Sequence, residues 1–403
     1  MKHFPATWKR TQLGEIASIV RGSSPRPAGD PKYFDGDYLP WTTVADVTGD
    51  NGMYLKHTRS KLTEAGAKHT RILERGTLIL TNSGATLGVP KIMQIRAGAN
   101  DGIAAFLNLK GVKSEFLYFF LQTQTRYFRE RLAPGVGQPN LNTELIGSVP
   151  IALPSDFEQD KISQILLTCD VAQEKLEAVA AAKLERKRGL MQQLVTGQKR
   201  FKAFKGQKWR TLRLGDLLQE VDRYVTFDDQ HTYRLASIRR RSEGLFFREA
   251  LQGKDIKTKV MKTIRAGDFI LSKMQVVHGA WGLVTPEFDG MFVSDSYISL
   301  VPKDGSPLKI EFLNYLSQMR FMRHLAYISS HGVHIEKMTF NLADFLHEKI
   351  TIPPTLEEQA KIVDVLSTCD REIELLQKQL EALKEQKRGL MQKLLTGEIR
   401  VKT

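Results

Sequence analysis

Two long stretches of the chain carry apolar side chains at spacings that alternate between four and three residues. This spacing is typical of a helix that packs along one face against a second helix. After Thr355, the positions on this face are Ile362, Leu366, Cys369, Ile373, Leu376, Leu380, Leu383, Lys387, Leu390 and Leu394. After Ser155, they are Ile162, Leu166, Cys169, Gln173, Leu176, Ala180, Lys183, Lys187, Leu190 and Leu194. The first helix is smaller and more polar at its centre, so we expect it to pair with the second helix rather than with a copy of itself.

Both stretches begin and end with helix signals. Each start combines a proline with a capping box, in which a Ser or Thr and a Glu satisfy free N–H groups: Pro154 with Ser155-x-x-Glu158, and Pro353-Pro354 with Thr355-x-x-Glu358. Gly197 and Gly397 stand where a left-handed residue closes a helix. The pattern predicts two long helices that form a coiled coil. The alternative is that each helix packs only on its own globular domain.

The two stretches also repeat in sequence, at a period of about 200 residues. The repeated segments are Glu158-Gln159-x-Lys161-Ile162 and Glu358-Gln359-x-Lys361-Ile362, Thr168-Cys169-Asp170 and Thr368-Cys369-Asp370, and Lys187-Arg188-Gly189-Leu190-Met191-Gln192 and Lys387-Arg388-Gly389-Leu390-Met391-Gln392. Parts of the chain that do the same mechanical work twice are expected to stay alike in this way.

The segments before the two helices correspond less closely. The matching features are Trp8-x-x-x-x-Leu13-Gly14-Glu15 with Trp209-x-x-x-x-Leu214-Gly215-Asp216, the predicted strands 76–81 and 267–272, the loops at Gly84-Ala85 and Gly279-Ala280, and amphipathic helices around 115–131 and 310–327. We therefore predict two copies of an α/β (α+β) domain that alternate with two long helices in a pseudo-twofold internal repeat. The predicted boundaries are 1–154 and 209–353 for the domains, 155–197 and 354–403 for the helical regions, and 198–208 for a linker.

Charge narrows the class of partner. The 403 residues include 59 Lys and Arg against 45 Asp and Glu, which gives a formal net charge of +14. An excess of this size favours a polyanionic partner, with nucleic acid ahead of an anionic membrane surface. The start of the sequence contains no signal-like apolar run, and no apolar stretch is long enough to span a bilayer. Two cysteines without metal-ligand spacing complete the expectation of a reduced, cytoplasmic protein.

These repeats resemble the specificity subunits of Type I restriction–modification systems, in which two target-recognition domains alternate with two helical regions. The resemblance covers nearly the whole chain, and its most specific parts are the two Pro-x-x-x-x-Glu-Gln helix starts and the two Lys-Arg-Gly-Leu-Met-Gln segments. In the first domain, segments 82–88 and 137–142 are similar to loop motifs of the family. The second domain departs from them, with Lys273-Met274-Gln275 before Gly279 and with the histidine-containing segment 329–334 as the counterpart of 137–142.

The resemblance implies a set of partners. These are double-stranded DNA and two adenine-N6 methyltransferase subunits that use S-adenosylmethionine, and the family also allows for restriction subunits that use ATP and magnesium. It implies no cofactor on this chain itself. The apolar face widens near each helix end, and we predict that the methyltransferases dock there on Leu190, Met191, Val195, Leu390, Met391 and Leu395.

Geometry adds an expectation about the DNA target. Two equivalent halves of one chain can close around a pseudo-twofold axis, which makes their helices antiparallel. A helix of roughly 38 residues at ~1.5 Å per residue is about 57 Å long. Domains at its ends would meet a duplex a turn or more apart, so we expect a bipartite, asymmetric target. Cys169 and Cys369 would then be far apart, whereas in a parallel pair they would be neighbours.

Polar and basic loop residues are the candidate DNA contacts. In the first domain they are Arg21, Ser23, Arg26, Asn82, Ser83, Thr86, Gln138, Asn140 and Asn142. In the second they are Arg239, Arg240, Arg241, Lys273, Gln275, His278, His331 and His334. Arginine and lysine suit phosphates and guanine edges, and side-chain amides suit adenine. The same residue types are ordinary in turns, and the arginine triplet could be a solvated turn.

Motifs of catalysis are missing from the sequence. There is no phosphate-binding loop, no Gly-rich cofactor loop after a strand, no Asx-Pro-Pro-aromatic motif, and no zinc-protease or nucleophile-elbow motif. His331 and His334 have no partners at metal-ligand spacing. We expect a DNA-reading scaffold without a catalytic or metal site. The alternatives are a subunit of a methylation-only or Type IIB-like complex, a coiled-coil bridging protein that does not read sequence, and an enzyme with unrecognised motifs.

Overall fold

The computed structural model describes residues 4–132, 140–334 and 338–401. The chain divides into two compact units, one formed by Met1–Glu177 with Lys378–Thr403 and the other by Ala178–Gln377. We call them unit 1 and unit 2. Each unit contains one domain with its sheets. It also contains the first half of the long helix that follows this domain and the second half of the other long helix.

In unit 1 the domain is built from strands, short helices of four or five residues and one longer helix. In chain order they are β1 (Lys9–Gln12), α1 (Leu13–Ile16), β2 (Ser18–Arg21), β3 (Phe34–Thr42), α2 (Val44–Val47), β4 (Tyr54–Leu55), β5 (Ser60–Leu62), α3 (Glu64–Ala67), β6 (Arg71–Leu73), β7 (Leu78–Thr81), β8 (Pro90–Met93), β9 (Ala97–Ala99), β10 (Ile103–Leu107), α4 (Ser114–Tyr127) with a π-helical turn Phe128–Leu132, α5 (Thr143–Gly147) and β11 (Pro150–Leu153). The first long helix, α6 (Asp156–Val195), follows.

In unit 2 the elements follow one another along the chain in a similar order. They are β12 (Arg210–Arg213), α7 (Leu214–Leu217), β13 (Leu218–Glu220), β14 (Thr232–Ile238), β15 (Leu245–Gln252), β16 (Met261–Thr263), β17 (Phe269–Ser272), β18 (Trp281–Leu283), β19 (Phe292–Ser294), β20 (Tyr297–Pro302), α8 (Ile310–Leu316), α9 (Arg320–Ile328), β21 (Ser330–His331), β22 (Thr339–Phe340), α10 (Leu342–His347) and β23 (Lys349–Ile352), with single 3-10 turns at Lys202–Phe204, Gly253–Asp255, Val276–His278 and Pro286–Phe288. The second long helix is α11 (Leu356–Leu394).

The sheets of the two units share one topology. In unit 1 the orders are β1-β11, β2-β10-β7-β8-β4 and β5-β3-β9-β6, and in unit 2 they are β12-β23, β13-β20-β17-β18 and β15-β14-β19-β16. Strand β4 is an addition to the unit 1 sheet, and the ribbon β21-β22 is an addition in unit 2. The predicted duplicated α/β domain is therefore confirmed, although the helix predicted over 310–327 is divided into α8 and α9 at residues 317–319.

The two long helices confirm the predicted pattern of buried positions. Every predicted face position in both helices is buried or half-buried, while most residues between them are exposed. The ends are fully buried against the domains, as at Ile162 and Leu394 in unit 1. Gly197 and Gly397 close the helices with φ angles of 75° and 73°, as predicted.

The helices run antiparallel in each unit, because rising numbers in one helix meet falling numbers in the other. In unit 1 Asp170 forms an ion pair with Lys387, and Glu177 pairs with Lys384. In unit 2 Lys183 pairs with Glu372, and Lys187 with Asp370. The repeated Thr-Cys-Asp and Lys-Arg-Gly segments thus bind each other, and the lysines on the apolar face have carboxylate partners.

The predicted capping boxes form only in part. Ser155 and Thr355 accept the N–H groups of Glu158 and Glu358, each at 3.3 Å. The glutamate side chains, however, do not return to the cap. Arg400 binds Glu158 through two nitrogens in unit 1, and Arg200 binds Glu358 likewise in unit 2, at 2.8 and 2.7 Å. A bidentate ion pair at a buried carboxylate outcompetes the reciprocal capping bond.

The glutamine of each helix start ties the helix to its own domain. Gln159 accepts the N–H of Lys113 at 2.8 Å, directly before α4, and donates to the carbonyl of Gly111. Gln359 accepts the N–H of Lys309 at 2.8 Å, directly before α8, and donates to the carbonyl of Pro307. Both glutamines are fully buried. In each repeated Glu-Gln pair, the glutamate therefore binds the segment that follows the other long helix, and the glutamine binds the domain.

Candidate nucleic-acid interface

The loops that follow the central strands β7 and β17 are equivalent in length and register. The Thr81 N–H donates to the Val89 carbonyl at 3.0 Å, and the Ser272 N–H donates to the Ala280 carbonyl at 2.9 Å. We call residues 82–88 loop A and residues 273–279 loop B. Gly88 is therefore the counterpart of Gly279, and the predicted match of Gly84-Ala85 with Gly279-Ala280 is wrong by four residues.

Loop A lies beside the turn 100–102 between β9 and β10. Asn82 donates its N–H to the carbonyl of Gly102 at 2.9 Å. The same turn holds the loop that follows β2, because Ser24 and Arg26 both bind the Asp101 carboxylate, at 2.8 and 3.1 Å. Arg21 donates to the Asp101 carbonyl. The structure thus brings together two groups of predicted contacts that are 60 residues apart in sequence.

The exposed candidates of the first domain are Arg21, Ser23, Arg26, Thr86, Asn140 and Asn142. Asn82 is fully buried, and neither atom of its amide group has a hydrogen-bond partner in the described part of the chain. Ser83 forms a single β-bridge with Asn140. Asn142 has a structural role, since its side chain accepts the Leu145 N–H at 2.7 Å and caps α5. Gln138 lies outside the described residues.

In unit 2 the arginine triplet packs against loop B. Arg241 donates its N–H to the His278 carbonyl at 2.7 Å, and Ser242 donates its N–H to the Gly279 carbonyl at 2.8 Å. Arg241 and Ser242 have φ angles of 62° and 58°. They are the central residues of the tight turn between β14 and β15, in which the Glu243 N–H donates to the Arg240 carbonyl at 3.4 Å, and a hairpin turn of this kind requires positive φ at both positions. Arg239, Arg240 and Arg241 are all exposed.

The remaining loop B candidates differ in their exposure. Lys273 is half-buried, and its N–H donates to the Ser296 carbonyl at 2.8 Å, as Asn82 does to Gly102 in unit 1. Gln275 is half-buried, and its buried side-chain oxygen has no hydrogen-bond partner within the described ranges. His278 is half-buried at the end of a 3-10 turn. Asn82 in loop A and Gln275 in loop B thus each have side-chain amide atoms that no described residue satisfies.

The two predicted histidines lie in the segment that follows α9. His331 forms a 2.8 Å pair with Asp344 of α10, and His334 is exposed. The counterpart of the segment ending at Asn142 is also misplaced in the sequence comparison. Asn341 accepts N–H groups of Ala343 and Asp344 and so caps α10, as Asn142 caps α5. The match of 137–142 with 329–334 is therefore wrong, because the shared function of the asparagines is a helix cap.

The turn 295–296 of unit 2 has its own ionic cluster. The Lys262 side chain is buried and binds Asp222 and Asp295 at 2.6 and 3.2 Å. A hydrogen bond from Tyr224, with others from Lys262, holds the pKa of Asp295 below its usual value. Burial acts to lower the pKa of Lys262, but the two carboxylates outweigh it and raise that pKa. This cluster fixes the turn whose Ser296 carbonyl accepts the N–H of Lys273, the first residue of loop B.

The predicted docking residues near the helix ends are used largely within each unit. Val195 and Leu395 are buried in the domain cores of unit 2 and unit 1. Leu190, Met191, Leu390 and Met391 are half-buried and pack against the same cores. The domains therefore explain the widened apolar face at Val195 and Leu395. In unit 1, Met391 and Leu395 also line a cavity of about 1170 Å³ whose wall includes Phe120, Val149 and Ile151.

Two arginines that the sequence comparison missed lie against the loops. Arg129 donates its Nε to the Leu87 carbonyl of loop A at 2.8 Å. The Cδ of Arg323 lies 3.2 Å from the position a Cβ would take at Gly279 of loop B. The equal length of the two loops was the available signal, but the wrong alignment of Gly84 with Gly279 concealed it.

Within residues 4–132, 140–334 and 338–401, no cluster of three or more His, Cys, Asp or Glu side chains has the arrangement of a metal site. No helix of these same ranges is long and apolar enough to cross a membrane. Cys169 and Cys369 are both free and half-buried. Burial, followed by the charge of Asp170, raises the pKa of the Cys169 thiol.

A family comparison matches nearly the whole chain. The sequence profile described as "Type I restriction modification DNA specificity domain" matches residues 5–186 and again residues 207–385. The chain therefore belongs to the family of Type I restriction–modification specificity subunits, which is the specificity component of these systems rather than a catalytic one. The resemblance stated from the repeats is confirmed.

Individual relatives agree with this assignment. The MjaIX specificity subunit of Methanocaldococcus jannaschii is 30% identical over 166 residues, which are 40% of this chain and 38% of that protein. The MjaVIII specificity subunit of the same organism is 22% identical over 99% of this chain and 94% of its own length. The crystal structure of a Type I restriction–modification S subunit from M. genitalium matches with a TM-score of 0.57 and 14% identity, over 96% of both chains. This last match shows a shared fold.

Proposed function

We propose that this chain reads a bipartite, asymmetric DNA sequence, with one half-site for each domain. The main support for the proposal is that loops A and B are held by the same backbone hydrogen bonds but present different side chains. Loop A and loop B begin and end at the same register, yet only loop A presents the Asn-Ser-Gly segment and only loop B packs against an arginine turn. Different donors and acceptors on equivalent frames suit two unlike base sequences.

The chemistry of the two loop regions supports contact with a duplex. Each places exposed arginines beside buried or half-buried amide side chains, as Arg26 near Asn82 and Arg241 near Gln275. Arginine can bind phosphates or guanine, and amides can bind adenine through two hydrogen bonds. The formal net charge of +14 supports the sequence-independent part of such binding.

We further propose that two adenine-N6 methyltransferase subunits assemble on this chain. S-adenosylmethionine would be bound by these subunits, and ATP and magnesium by restriction subunits where these join, so the chain itself would supply recognition and scaffolding. The apolar cavity beside Met391 and Leu395 supports docking near the end of α11. Glutamates in place of Met191 and Met391 should abolish co-purification with the methyltransferase. Retention of the complex by this double variant would contradict the docking site.

Mapping of N6-methyladenine across the genome tests the main proposal. Cells that contain the chain should methylate one bipartite motif with unlike halves, and deletion of the chain should remove that motif alone. A palindromic motif, or methylation that is unchanged by the deletion, would contradict it. Variants of loop A and of loop B in the same assay should each change a different half of the motif.

A further inference from the structure

We propose that Arg129 and Arg323 are equivalent contacts to the phosphate backbone of duplex DNA, one in each domain. The inference rests on the proposed function and adds to it a pair of residues that do not read bases. Their role would be to fix the distance between each loop and the duplex, so that the differing side chains of loops A and B meet base edges. Contacts to phosphates position a protein on DNA without selecting a sequence.

The two arginines occupy equivalent places in their domains. Arg129 belongs to the π-helical turn Phe128–Leu132, and Arg323 belongs to α9. Both segments pass directly over a left-handed glycine. A Cβ at Gly88 (φ 87°) would lie 3.2 Å from Phe128, and a Cβ at Gly279 (φ 72°) would lie 3.2 Å from Arg323. The glycines allow this approach, since other residues are strained in that conformation.

The two domains have kept an arginine beside a loop whose other residues differ. Their loops differ at six of seven positions, with only Gly88 and Gly279 identical. The structures opposite the loops differ as well, because residues 239–244 form a tight turn in unit 2 while residues 43–59 include α2 and β4 in unit 1. An arginine nevertheless lies against the loop in both. Base contacts are expected to diverge between unlike half-sites, whereas the phosphate backbone is the same in both and calls for the same cation.

The charge and geometry of the two arginines also suit a phosphate ligand. Neither arginine is in an ion pair within the described residues, in contrast to Arg126, which binds Glu130. Arg129 is exposed and uses its Nε on the Leu87 carbonyl, which leaves the terminal nitrogens of the guanidinium group for another acceptor. A side chain that is already held by one hydrogen bond loses less freedom when it binds a phosphate.

Salt-dependent binding of the full-length chain to duplex DNA tests the inference. The variants are Arg129→Ala, Arg323→Ala and both together, measured by fluorescence anisotropy on several unrelated duplexes. Each single variant should weaken binding about three- to ten-fold on every duplex, and should lower the slope of log Kd against log salt by about one. Arg129→Lys and Arg323→Lys should keep the wild-type slope, because the charge remains.

Matched controls separate this role from a structural one. Arg96→Ala and Arg265→Ala each remove one exposed arginine from an ion pair elsewhere in units 1 and 2, and they should leave the slope unchanged. If Arg129 only held loop A in place, the lysine variant would lose binding and the alanine variant would keep the wild-type slope. Either that result, or a loss confined to one duplex sequence, would overturn the proposal.

The same data distinguish failure of this inference from failure of the proposed function. Wild-type protein that prefers one duplex, with arginine variants that behave like the controls, would refute the phosphate contacts and leave sequence reading intact. Wild-type protein without any preference would contradict sequence reading. Reduced salt slopes in the variants would then still support contact with phosphates.

Discussion

Units 1 and 2 are nearly identical where they hold the long helices and different where they face a candidate ligand. At the helix starts, Gln159 and Gln359 form equivalent hydrogen bonds to their own domains. Glu158 and Glu358 each form a bidentate ion pair with an arginine, Arg400 and Arg200 respectively. At loops A and B, the backbone register is shared while the side chains are not. The chain therefore repeats the residues that join the long helices to the domains, and varies the side chains of the loops that these domains carry.

The two Glu–Arg pairs, which we call the anchors, differ in their exposure, so they are the first place to test the comparison. Arg200 is 15% exposed beside a Glu358 side chain that is 1% exposed, whereas Arg400 is 45% exposed. In unit 1 the Trp8 indole also donates to Glu158 at 3.2 Å, while the Trp209 indole nitrogen has no partner in the described part of unit 2. Unit 2 therefore depends more on its arginine alone.

The largest expected effect follows from Glu358→Ala. It leaves Arg200 partly buried without its carboxylate, and breaking a buried ion pair costs about 3–5 kcal/mol. Urea denaturation should show this loss in unit 2, with a smaller loss for Glu158→Ala because water screens Arg400 more. Glu177→Ala, which removes an exposed ion pair, is the control and should cost under about 1 kcal/mol. Equal losses for Glu358→Ala and Glu177→Ala would show that the anchor is dispensable.

The next effect separates the two loops by specificity. Lys273→Ala in loop B and Arg26→Ala beside loop A should each weaken discrimination in one half of the target only. Where the residue contacts a base directly, the loss at that base pair should be about 1–3 kcal/mol. Competition binding against libraries randomised in one half-site measures it. If both variants changed preferences in the same half, the assignment of one half-site to each domain would be wrong.

A charge exchange tests the antiparallel pairing on which the comparison of units depends. Asp170→Lys places a cation beside Lys387 and should reduce the free energy of unfolding by about 1 kcal/mol. Lys387→Asp in the same chain should restore most of this loss. Lys187→Asp, the equivalent change in unit 2, should not restore it, because Lys187 pairs with Asp370. Rescue by Lys187→Asp would contradict the observed pairing.

A similar but local effect is expected at the two helix caps. Asn142→Ala and Asn341→Ala should each cost about 1 kcal/mol, the usual value of an N-cap side chain. Thermal unfolding measures both, and Asn51→Ala at an exposed position serves as the neutral control. Similar losses in units 1 and 2 would confirm that these asparagines are counterparts. A loss of DNA affinity without a loss of stability in Asn142→Ala would instead favour its predicted contact role.

The smallest expected effect is a pH dependence confined to unit 2. Because hydrogen bonds hold the pKa of Asp295 below normal, its contribution to stability is present above the unfolded-state pKa near 3.9 and disappears as the pH falls through the folded-state pKa. Tyr224→Phe removes one of these bonds and should raise that pKa, as NMR titration of the carboxyl carbon would show. The stability difference between wild type and variant should therefore narrow below pH 4. A difference that widened there would mean that Tyr224 acts through another group.

The helical frame was predictable from the sequence because its signals are periodic and local. The four-and-three spacing predicted which residues are buried, and Gly197 and Gly397 close the helices as expected. The glutamates were mispredicted for a physical reason. Their arginine partners lie 158 residues away along the chain for Glu358 with Arg200 and 242 residues away for Glu158 with Arg400, and no local pattern marks such a pair. The predicted domain boundaries stay predictions.

The loops were less predictable, since their equivalence depends on strand register. Gly84-Ala85 and Gly279-Ala280 are identical in sequence, but the hydrogen bonds from Thr81 and Ser272 show that Gly88 is the counterpart of Gly279. Proximity was also hidden, as with Arg241 against His278, which hydrogen bonds between separate segments bring together. The candidate contacts themselves remain predictions, and Gln138 lies outside the described residues.

The pairing of the first and last strands of each domain has a consequence for how the gene can recombine. In each unit the first strand of the domain pairs with the last, β1 with β11 and β12 with β23, so the domain leaves the helical frame and returns to it on one two-stranded ribbon. Everything between Lys9 and Leu153 is thus bounded by a single pair of neighbouring strands. A recombination event that exchanged the coding segment between these points would bring in a new domain without any change to the helices. Under the proposed function, each such exchange would give the chain a new half-site in one step.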